Sequence, residues 1–152
     1  MATYQVLGIC GSLRRKSFNL GALHAAAEVM PTGMQLRIAN YDGVPLFNQD
    51  VQEQGIPEAV SQLAEQVRAA DALLIASPEY NFSISGVLKN AIDWLTRVPV
   101  QPFKDKPVAI LSATMGPLGG ARHQYELRKI LGSQDALVLT RPEVFINLAP
   151  TR

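Results

Sequence analysis

Two consecutive segments decide the fold: Ser77-Pro-Glu-Tyr-Asn81 and Phe82-Ser-Ile-Ser-Gly-Val-Leu-Lys-Asn-Ala-Ile-Asp-Trp-Leu-Thr-Arg97. The first segment ends an apolar strand and makes a turn, and the apolar residues of the second recur at helical spacing. In a doubly wound α/β sheet, the turn after a strand is where ligands bind. A turn that offers an aromatic ring and an amide therefore predicts a binding site for a flat ring with polar edges.

Short apolar runs alternate with segments of helical periodicity along the rest of the chain. Several runs are too apolar for a surface hairpin and fit a parallel sheet covered on both faces. The predicted strands are Tyr4–Cys10, Gln35–Ala39, Ala72–Ser77, Val108–Ala113 and Ala136–Thr140. The predicted helices carry apolar stripes at Leu20, Leu23, Ala27 and Met30, at Val60, Leu63, Ala64 and Val67, at Val87, Ala91, Trp94, Leu95 and Val98, and at Leu127, Ile130 and Leu131.

This alternation predicts an α/β fold with a flavodoxin-like, doubly wound parallel sheet of five strands in the order 2-1-3-4-5. We expect one domain over residues 1–152. In this topology the first helix and a terminal helix share one face of the sheet, and the sequence after the fifth strand lacks that helix. We therefore expect a half-covered face, either because a partner covers it or because the sequence is truncated.

Composition indicates a compact globular protein and argues against several function classes. Hydrophobic residues make up 47% and charged residues 18% of the chain, and the net charge of +1 with no long basic run does not favour nucleic-acid binding. No apolar run approaches the roughly 18 residues of a membrane span, and no basic leader is visible. Because Cys10 is the sole cysteine, an internal disulfide is excluded and we expect a cytoplasmic protein.

The loop Gly11–Asn19 after the first strand is rich in hydroxyl groups. It matches neither the nucleoside-triphosphate loop motif nor the dinucleotide-binding fingerprint. Ser12, Ser17 and Asn19 can donate to phosphate oxygens. Arg14 adds positive charge, and amides at the start of the following helix add further donors. The alternative is that Ser17 or Asn19 only caps the helix and Arg14 is solvated, but the position directly after the first strand favours a monophosphate site.

Two further loops reach the same edge of the sheet. Tyr80 can stack on or flank a planar ring while Asn81 bonds its polar edge, or the two can be a hydrophobic plug beside a turn former. Glu79 has no obvious partner, and such a carboxylate more often caps a helix or pairs with a base, so we assign it no proton transfer. The loop Thr114–Gly120 has glycines that let backbone approach a ligand and hydroxyls that can bond a ring carbonyl, although a plain flexible turn fits as well.

Other chemistry is not indicated. His24 and His123 lack metal-ligand spacing, so we expect no metal site, and no nucleophile elbow suggests a hydrolase. Cys10 is expected to be a small buried hydrophobe. The long loop Asn40–Gly55 contains Pro and Gly and can contribute contacts to a site.

Three motifs in this order resemble the NADPH-dependent FMN reductases, and most closely their soluble chromate and quinone reductase branch. They are Gly-Ser-Leu-Arg-x-x-Ser-x-Asn at 11–19, Pro-Glu-Tyr-Asn leading to Leu-Lys-Asn-Ala-Ile-Asp-Trp at 78–94, and Gly-Gly-Ala-Arg at 119–122. The resemblance covers essentially the whole chain to about Asn147. It implies a flavodoxin-like fold, an FMN cofactor, NADPH or NADH as reductant, and a homodimer or homotetramer with flavin sites beside an interface.

The resemblance also implies roles for individual residues. The first loop holds the FMN phosphate, Pro78–Asn81 flank the isoalloxazine, and Thr114–Gly116 approach its far side. No side chain is expected to be catalytic, because the flavin carries the chemistry. The expected cofactor contacts are Ser12, Arg14, Ser17, Phe18, Asn19, Pro78, Glu79, Tyr80, Asn81, Ser112, Thr114, Met115 and Gly116. Apart from the resemblance, Arg122 and Tyr125 lie one helical step apart outside the apolar stripe of their helix. We therefore predict a subunit contact that comprises Arg122, Tyr125 and Glu143, with solvated surface as the alternative.

The resulting hypothesis is an FMN-dependent NAD(P)H oxidoreductase that reduces quinones, free flavin or chromate-type acceptors by ping-pong hydride transfer. Alternatives are a flavodoxin-type electron carrier without nicotinamide turnover and a flavin-free regulatory subunit. Such carriers are typically strongly acidic, whereas this chain has a net charge of +1. The family commonly has Pro before Gly86, where this chain has Ser85; because Ser can cap a helix, we expect the local geometry to be preserved with a looser loop.

Overall fold

A parallel sheet lies at the centre of the protein, whose computed structural model describes residues 3–151. In chain order the elements are β1 (Tyr4–Cys10), α1 (Phe18–Glu28), β2 (Met34–Ile38), α2 (Gln49–Glu53), α3 (Glu58–Ala69), β3 (Ala72–Ala76), β4 (Glu79–Tyr80), β5 (Ser83–Ile84), α4 (Gly86–Leu95), β6 (Pro107–Ala113), α5 (Ala121–Gly132), β7 (Leu137–Val138), β8 (Val144–Ile146) and a 3-10 helix (Ala149–Thr151).

The sheet order β2-β1-β3-β6-β7 confirms the predicted flavodoxin-like topology, and every pairing in this sheet is parallel. The first four predicted strands match the observed ones to within one residue at each end. β4 and β5 form a separate antiparallel hairpin directly after β3, which the sequence pattern did not predict. The carboxyl ends of β1, β3 and β6 therefore lie side by side at one edge, where ligands bind in this architecture.

The fifth predicted strand, Ala136–Thr140, was wrong in its extent. The chain instead forms two short strands, β7 and β8, which both pair with β6. The segment between them contains Pro142, which has no amide hydrogen to contribute to a ladder. Helix α5 contacts the later of these two strands, β8, through a hydrogen bond that Gln124 Nε2 donates to Val144 O at 2.9 Å.

The two faces of the sheet are covered unequally. Helices α3, α4 and α5 pack on one face, whose buried residues include Val60, Leu63, Ala64, Val67, Ala91, Trp94, Leu95, Leu127 and Leu131. On the other face, Leu23 is the one residue of the predicted α1 stripe that is fully buried. Leu137, which alternates with the core-facing Val138, is 57% exposed. The α1 face is therefore half covered.

The predicted loop Asn40–Gly55 contains the short helix α2, contacts α4 and does not line the cleft at the carboxyl ends of β1, β3 and β6. Trp94 Nε1 and Asn90 Nδ2 both donate to Pro45 O at 2.8 Å. The Phe47 ring meets the Trp94 indole edge to face, with the ring centroids 5.0 Å apart. These contacts hold α4 rigidly, and α4 is the helix that follows the β4–β5 hairpin.

Within residues 3–151, no helix is both long enough and apolar enough to cross a membrane. The same residues contain no group of three or more His, Cys, Asp or Glu side chains that could hold a metal ion.

Candidate functional site

Three loops at the carboxyl ends of β1, β3 and β6 enclose a cleft of about 340 Å³. Its walls bring together all but two of the predicted cofactor contacts. Asn81 and Ser112 do not line it, and Ala113, which ends β6, lines it without having been predicted. The lining residues are Ser12, Arg14, Ser17, Phe18, Asn19, Pro78, Glu79, Tyr80, Ala113, Thr114, Met115 and Gly116.

The loop after β1 presents two hydroxyl groups to the cleft. Arg14 N donates to Ser12 Oγ at 3.3 Å. Leu20 N donates to Ser17 Oγ at 3.3 Å, so Ser17 is the N-cap of α1. A hydroxyl oxygen that accepts a backbone hydrogen bond keeps its own proton to donate elsewhere. The capping and phosphate-binding interpretations of Ser17 are therefore compatible.

The first turn of α1 adds donors at the same end of the cleft. The first backbone bond of the helix is donated by Gly21 N to Ser17 O, so the amides of Phe18 and Asn19 precede the intrahelical ladder. The N-terminus of a helix also carries a partial positive charge. Arg14 lies close by, with its guanidinium 5.9 Å from the centroid of the Phe18 ring. Hydroxyls, free amides and a cation together suit a phosphate group.

Asn19 has a structural role that the phosphate prediction did not include. The side chain is only 2% exposed. Its Nδ2 donates to Ala113 O at 2.9 Å, and its Oδ1 accepts from Ala113 N at 2.9 Å. The amide thus pairs with the last residue of β6 and joins the first loop to the third. One N–H of Nδ2 remains for a ligand.

The β4–β5 hairpin forms the opposite wall of the cleft. Asn81 and Phe82 have φ angles of 50° and 68°, and two consecutive residues in this left-handed region make the type I′ turn of a tight hairpin. Asn81 is thus a turn former, which was one of the two interpretations of its position. For a residue as bulky as Phe82, such a φ angle is unusual. Tyr80 lines the cleft and is 53% exposed.

Glu79 attaches this hairpin to α5. Its Oε2 accepts from the backbone nitrogens of Arg122, at 3.0 Å, and His123, at 3.3 Å. Its Oε1 accepts from the Arg122 guanidinium at 3.2 Å. Gly120, the N-cap of α5, has no side chain, so Glu79 supplies the cap from another element. Glu79 therefore both caps a helix and pairs with a base, as expected for a carboxylate without a proton-transfer role.

Ser112 lies beneath the third loop and is fully buried. Its side chain therefore does not reach the cleft, which corrects the prediction that it contacts the ligand. Ser112 Oγ donates to Gly119 O at 2.5 Å and accepts from Gln124 Nε2 at 2.7 Å. Gly119 and Gly120 have φ angles of 60° and 85°. A Cβ atom on Gly120 would lie 2.9 Å from Ser112 Cβ, so both conformation and space require glycine there.

A second cleft of about 340 Å³ adjoins the hairpin end of the first. The two share Glu79, Thr114 and Gly116. The remaining lining residues are Pro117, Leu118, Gly120 and Arg122. This second cleft was not predicted from the sequence, although two of its lining residues, Gly120 and Arg122, belong to the Gly-Gly-Ala-Arg motif. Arg14 at one end and Arg122 at the other are the two cations among the described residues that line the joined clefts.

Two buried titratable groups lie close to the cleft. His123 is fully buried, and because Gly120 O can only accept, its Nδ1 donates to that oxygen at 2.6 Å. Burial lowers the pKa of His123 below its ordinary value. Cys10 is 6% exposed, and burial raises the pKa of its thiol, which makes it a poor nucleophile.

The three residues of the predicted subunit contact lie on or near α5. Arg122 contacts Glu79 and Phe82 of its own chain. Tyr125 is 58% exposed, and a hydrogen bond with Glu143 raises the pKa of its hydroxyl. A contact with a second subunit remains a prediction for all three.

Comparison with known proteins places the chain among flavin-dependent reductases. The family model for NADPH-dependent FMN reductases matches residues 4–151. An NAD(P)H-dependent FMN reductase of Pseudomonas aeruginosa is 54% identical over 145 residues, which are 95% of this chain and 78% of that protein. A quinone reductase of Escherichia coli is 48% identical over 141 residues, or 91% of this chain and 75% of that protein.

A solved structure supports the same family assignment. FerB, a flavoenzyme NAD(P)H:(acceptor) oxidoreductase of Paracoccus denitrificans, matches with a TM-score of 0.88 and 31% sequence identity. The match covers 95% of this chain and 79% of that chain. The chain therefore belongs to the NADPH-dependent FMN reductase family.

Proposed function

We propose that this protein is an FMN-dependent NAD(P)H oxidoreductase that reduces small acceptors such as quinones, free flavin or chromate. The observation that carries the proposal is a single cleft lined at one end by the N-terminus of α1, with Ser12 and Arg14, and at the other end by Pro78 and Tyr80. The names of its relatives, an FMN reductase and a quinone reductase, agree with this function.

The donor set of the cleft fits FMN. The Ser12 and Ser17 hydroxyls, the first-turn amides of α1 and Arg14 match a dianionic phosphate. Pro78, Tyr80 and Met115 offer apolar surface for a ring, and Thr114 with the backbone of Gly116 offers polar groups for its edge. We assign the cofactor contacts to these residues and to Phe18, Asn19 and Glu79.

When bound, FMN supplies hydride chemistry, which needs no acid or base from a side chain. The protein's own contribution would be to hold the cofactor and to fix the shape of the cleft around it. Ser17 and Arg14 would hold the FMN phosphate at one end, while Glu79 fixes the hairpin wall of the cleft against α5. A nicotinamide and an acceptor can use the same open face in turn, which gives ping-pong kinetics.

The rival functions fit less well. A flavodoxin-type carrier would bind FMN but not oxidise NAD(P)H, and the named relatives are reductases and oxidoreductases. A net charge of +1 also differs from the strongly acidic surface with which such carriers dock. A flavin-free regulatory subunit would leave the anion-binding end of the cleft without a function.

The proposed function is tested by loading the purified protein with FMN and measuring steady-state NADPH and NADH oxidation with quinone, free FMN and chromate. We expect a yellow protein that oxidises a nicotinamide only when an acceptor is present, with parallel double-reciprocal plots. A protein that binds FMN without turning over either nicotinamide would be a carrier. A protein that stays colourless would not be a flavoenzyme.

We also propose a cytoplasmic homodimer or homotetramer with the flavin cleft beside the subunit interface. Four large apolar side chains around the cleft are exposed: Tyr80 at 53%, Phe82 at 66%, Met115 at 66% and Leu118 at 48%. An exposed apolar patch of this kind favours a protein contact. The mass in solution tests the proposal, and a monomer at micromolar concentration would contradict it.

A further inference from the structure

We propose that Arg122 stabilises the negative charge that FMN acquires on reduction and thereby raises the reduction potential of the bound cofactor. This inference rests on the proposed function. Arg122 lines the second cleft, which adjoins the main cleft at the hairpin end and not at the phosphate end. Its role differs from that of Arg14, which lies where the phosphate binds.

The reaction itself creates the need for a cation at the ring. When bound, FMN would supply hydride chemistry, in which a hydride and its negative charge pass from NAD(P)H to the ring and from the ring to a quinone, with NAD(P)⁺ released and one proton taken up from solvent to form the hydroquinone. A fixed positive charge stabilises the reduced ring more than the oxidised one, because only the reduced ring is charged.

The guanidinium of Arg122 is held in place by two contacts. Nη1 donates to Glu79 Oε1 at 3.2 Å. On another side, the Arg122 Cζ atom lies 4.0 Å from the centroid of the Phe82 ring. The strained left-handed φ of Phe82 positions this ring at the tip of the hairpin. Because an arginine has five N–H donors, donors remain after these contacts for the edge of a ring.

Glu79 does not cancel the charge of Arg122. Its carboxylate also accepts from two backbone nitrogens at the N-terminus of α5, which carries about half a positive charge. The carboxylate, the guanidinium and the helix end therefore sum to a net positive charge at this end of the cleft. The side chain of Arg122 is 45% exposed, so the effect is moderated by solvent.

The test compares Arg122→Gln with Arg122→Lys, two side chains of similar length of which only lysine is charged. The reduction potential of bound FMN is measured against a reference dye, and the affinities for oxidised and reduced FMN are measured separately. We expect Arg122→Gln to weaken binding of reduced FMN about tenfold more than binding of oxidised FMN. For a two-electron couple, a tenfold change lowers the potential by about 30 mV. Arg122→Lys is expected to retain most of the unaltered protein's potential.

Two controls separate a direct effect from an indirect one. Arg37→Gln removes an exposed arginine on β2, away from both clefts, and should leave the potential unchanged. Arg122→Gln could also change the potential indirectly, by altering the Glu79 carboxylate to which Arg122 is bonded, and Glu79→Gln removes that carboxylate. In that background, Arg122→Gln should still lower the potential by about 30 mV.

The outcomes distinguish this inference from the function on which it rests. An unchanged potential in Arg122→Gln, or a shift that disappears in the Glu79→Gln background, would overturn the role of Arg122 while the protein remains an FMN reductase. An equal shift in Arg122→Lys would also overturn it, because charge would not be the cause. Failure of the unaltered protein to bind FMN would overturn both proposals together.

Discussion

The two ends of the main cleft are held by different kinds of contact. At the α1 end, the hydroxyls of Ser12 and Ser17 are bonded to backbone two and three residues away in the chain. At the hairpin end, Glu79 is bonded to backbone 43 residues away. The α1 end, where we propose that the FMN phosphate binds (the phosphate end), is thus a local structure on one loop. The hairpin end, where we propose that the ring binds (the ring end), exists only when the hairpin and α5 are packed together. Substitutions that remove only the local bonds at the phosphate end should affect one ligand group, whereas loss of the Glu79 bonds to the α5 backbone should affect the fold and every ligand.

The largest effect is expected at Asn19, a residue of the first loop whose side chain makes a long-range contact. Asn19 belongs to the phosphate end but is bonded through its amide to the backbone of Ala113, 94 residues away. Asn19→Ala would leave the N–H and C=O of Ala113 buried without that partner. At about 1–3 kcal/mol for each of these two unsatisfied groups, we expect the free energy of unfolding to fall by about 2–6 kcal/mol.

Urea unfolding of the cofactor-free protein measures this loss. Asn40→Ala is the matched control, because Asn40 is exposed and its side chain accepts only a local hydrogen bond from Asp42 N. We expect the control to change stability by less than about 1 kcal/mol. Equal stability of the two variants would show that the bond between Asn19 and Ala113 does not hold the cleft together.

The second prediction separates the ends by their ligands. Arg14→Ala should weaken FMN binding at least about tenfold, since a hydrogen bond to a charged group contributes about 1.5–3 kcal/mol. Binding of riboflavin, which lacks the phosphate, should not change. Arg15→Ala is the control, because Arg15 is the exposed neighbour that does not line the main cleft. Flavin fluorescence titration gives the affinities of both variants for FMN and for riboflavin. An equal loss of affinity for FMN and riboflavin in Arg14→Ala would contradict the role of Arg14 at the phosphate.

The local end was the part that could be predicted from the sequence. Strand order followed from the alternation of apolar runs and helical stripes. That the residues of the first loop line one cleft could also be predicted, because they are neighbours in the chain, whereas their binding of a phosphate stays a prediction. The partner of Asn19 could not be predicted, because nothing near Asn19 in the chain indicates Ala113. The burial of Ser112 also depends on a distant residue, Gln124 of α5. Periodicity likewise cannot reveal strands of two residues, such as those of the β4–β5 hairpin.

The third prediction tests how the ring end is attached to the start of the sheet. Ser85 is fully buried, donates to Gly11 O at 2.6 Å and accepts from Leu88 N at 3.4 Å as the N-cap of α4. It therefore replaces the proline of the family with a cap, as predicted. Ser85→Ala should lower the free energy of unfolding by about 1–2 kcal/mol. Ser83→Ala, at an exposed position of the same hairpin, should have little effect, and a similar loss in both variants would contradict the role of the cap.

The smallest effect is expected from protonation of His123, which lies at the ring end. Burial lowers its pKa in the folded protein below the ordinary value of 6.5, although the nearby carboxylate of Glu79 opposes this shift. As the pH falls through 6.5, the unfolded chain therefore binds a proton before the folded chain does. Stability is full above that pH and is lost below it, with a slope of at most about 1.4 kcal/mol per pH unit.

Unfolding experiments between pH 7.5 and about 5 compare His123→Gln with His24→Gln, whose histidine is exposed on α1. The slope should be smaller in His123→Gln and unchanged in His24→Gln. No described residue hydrogen-bonds to the buried Nε2 of His123, so a proton added there would be a buried donor without a partner. Because His123 N also donates to Glu79, the acid loss should begin where the hairpin meets α5. If hydrogen exchange at low pH instead speeds up first in the α1 loop, the long-range end is not the weaker one.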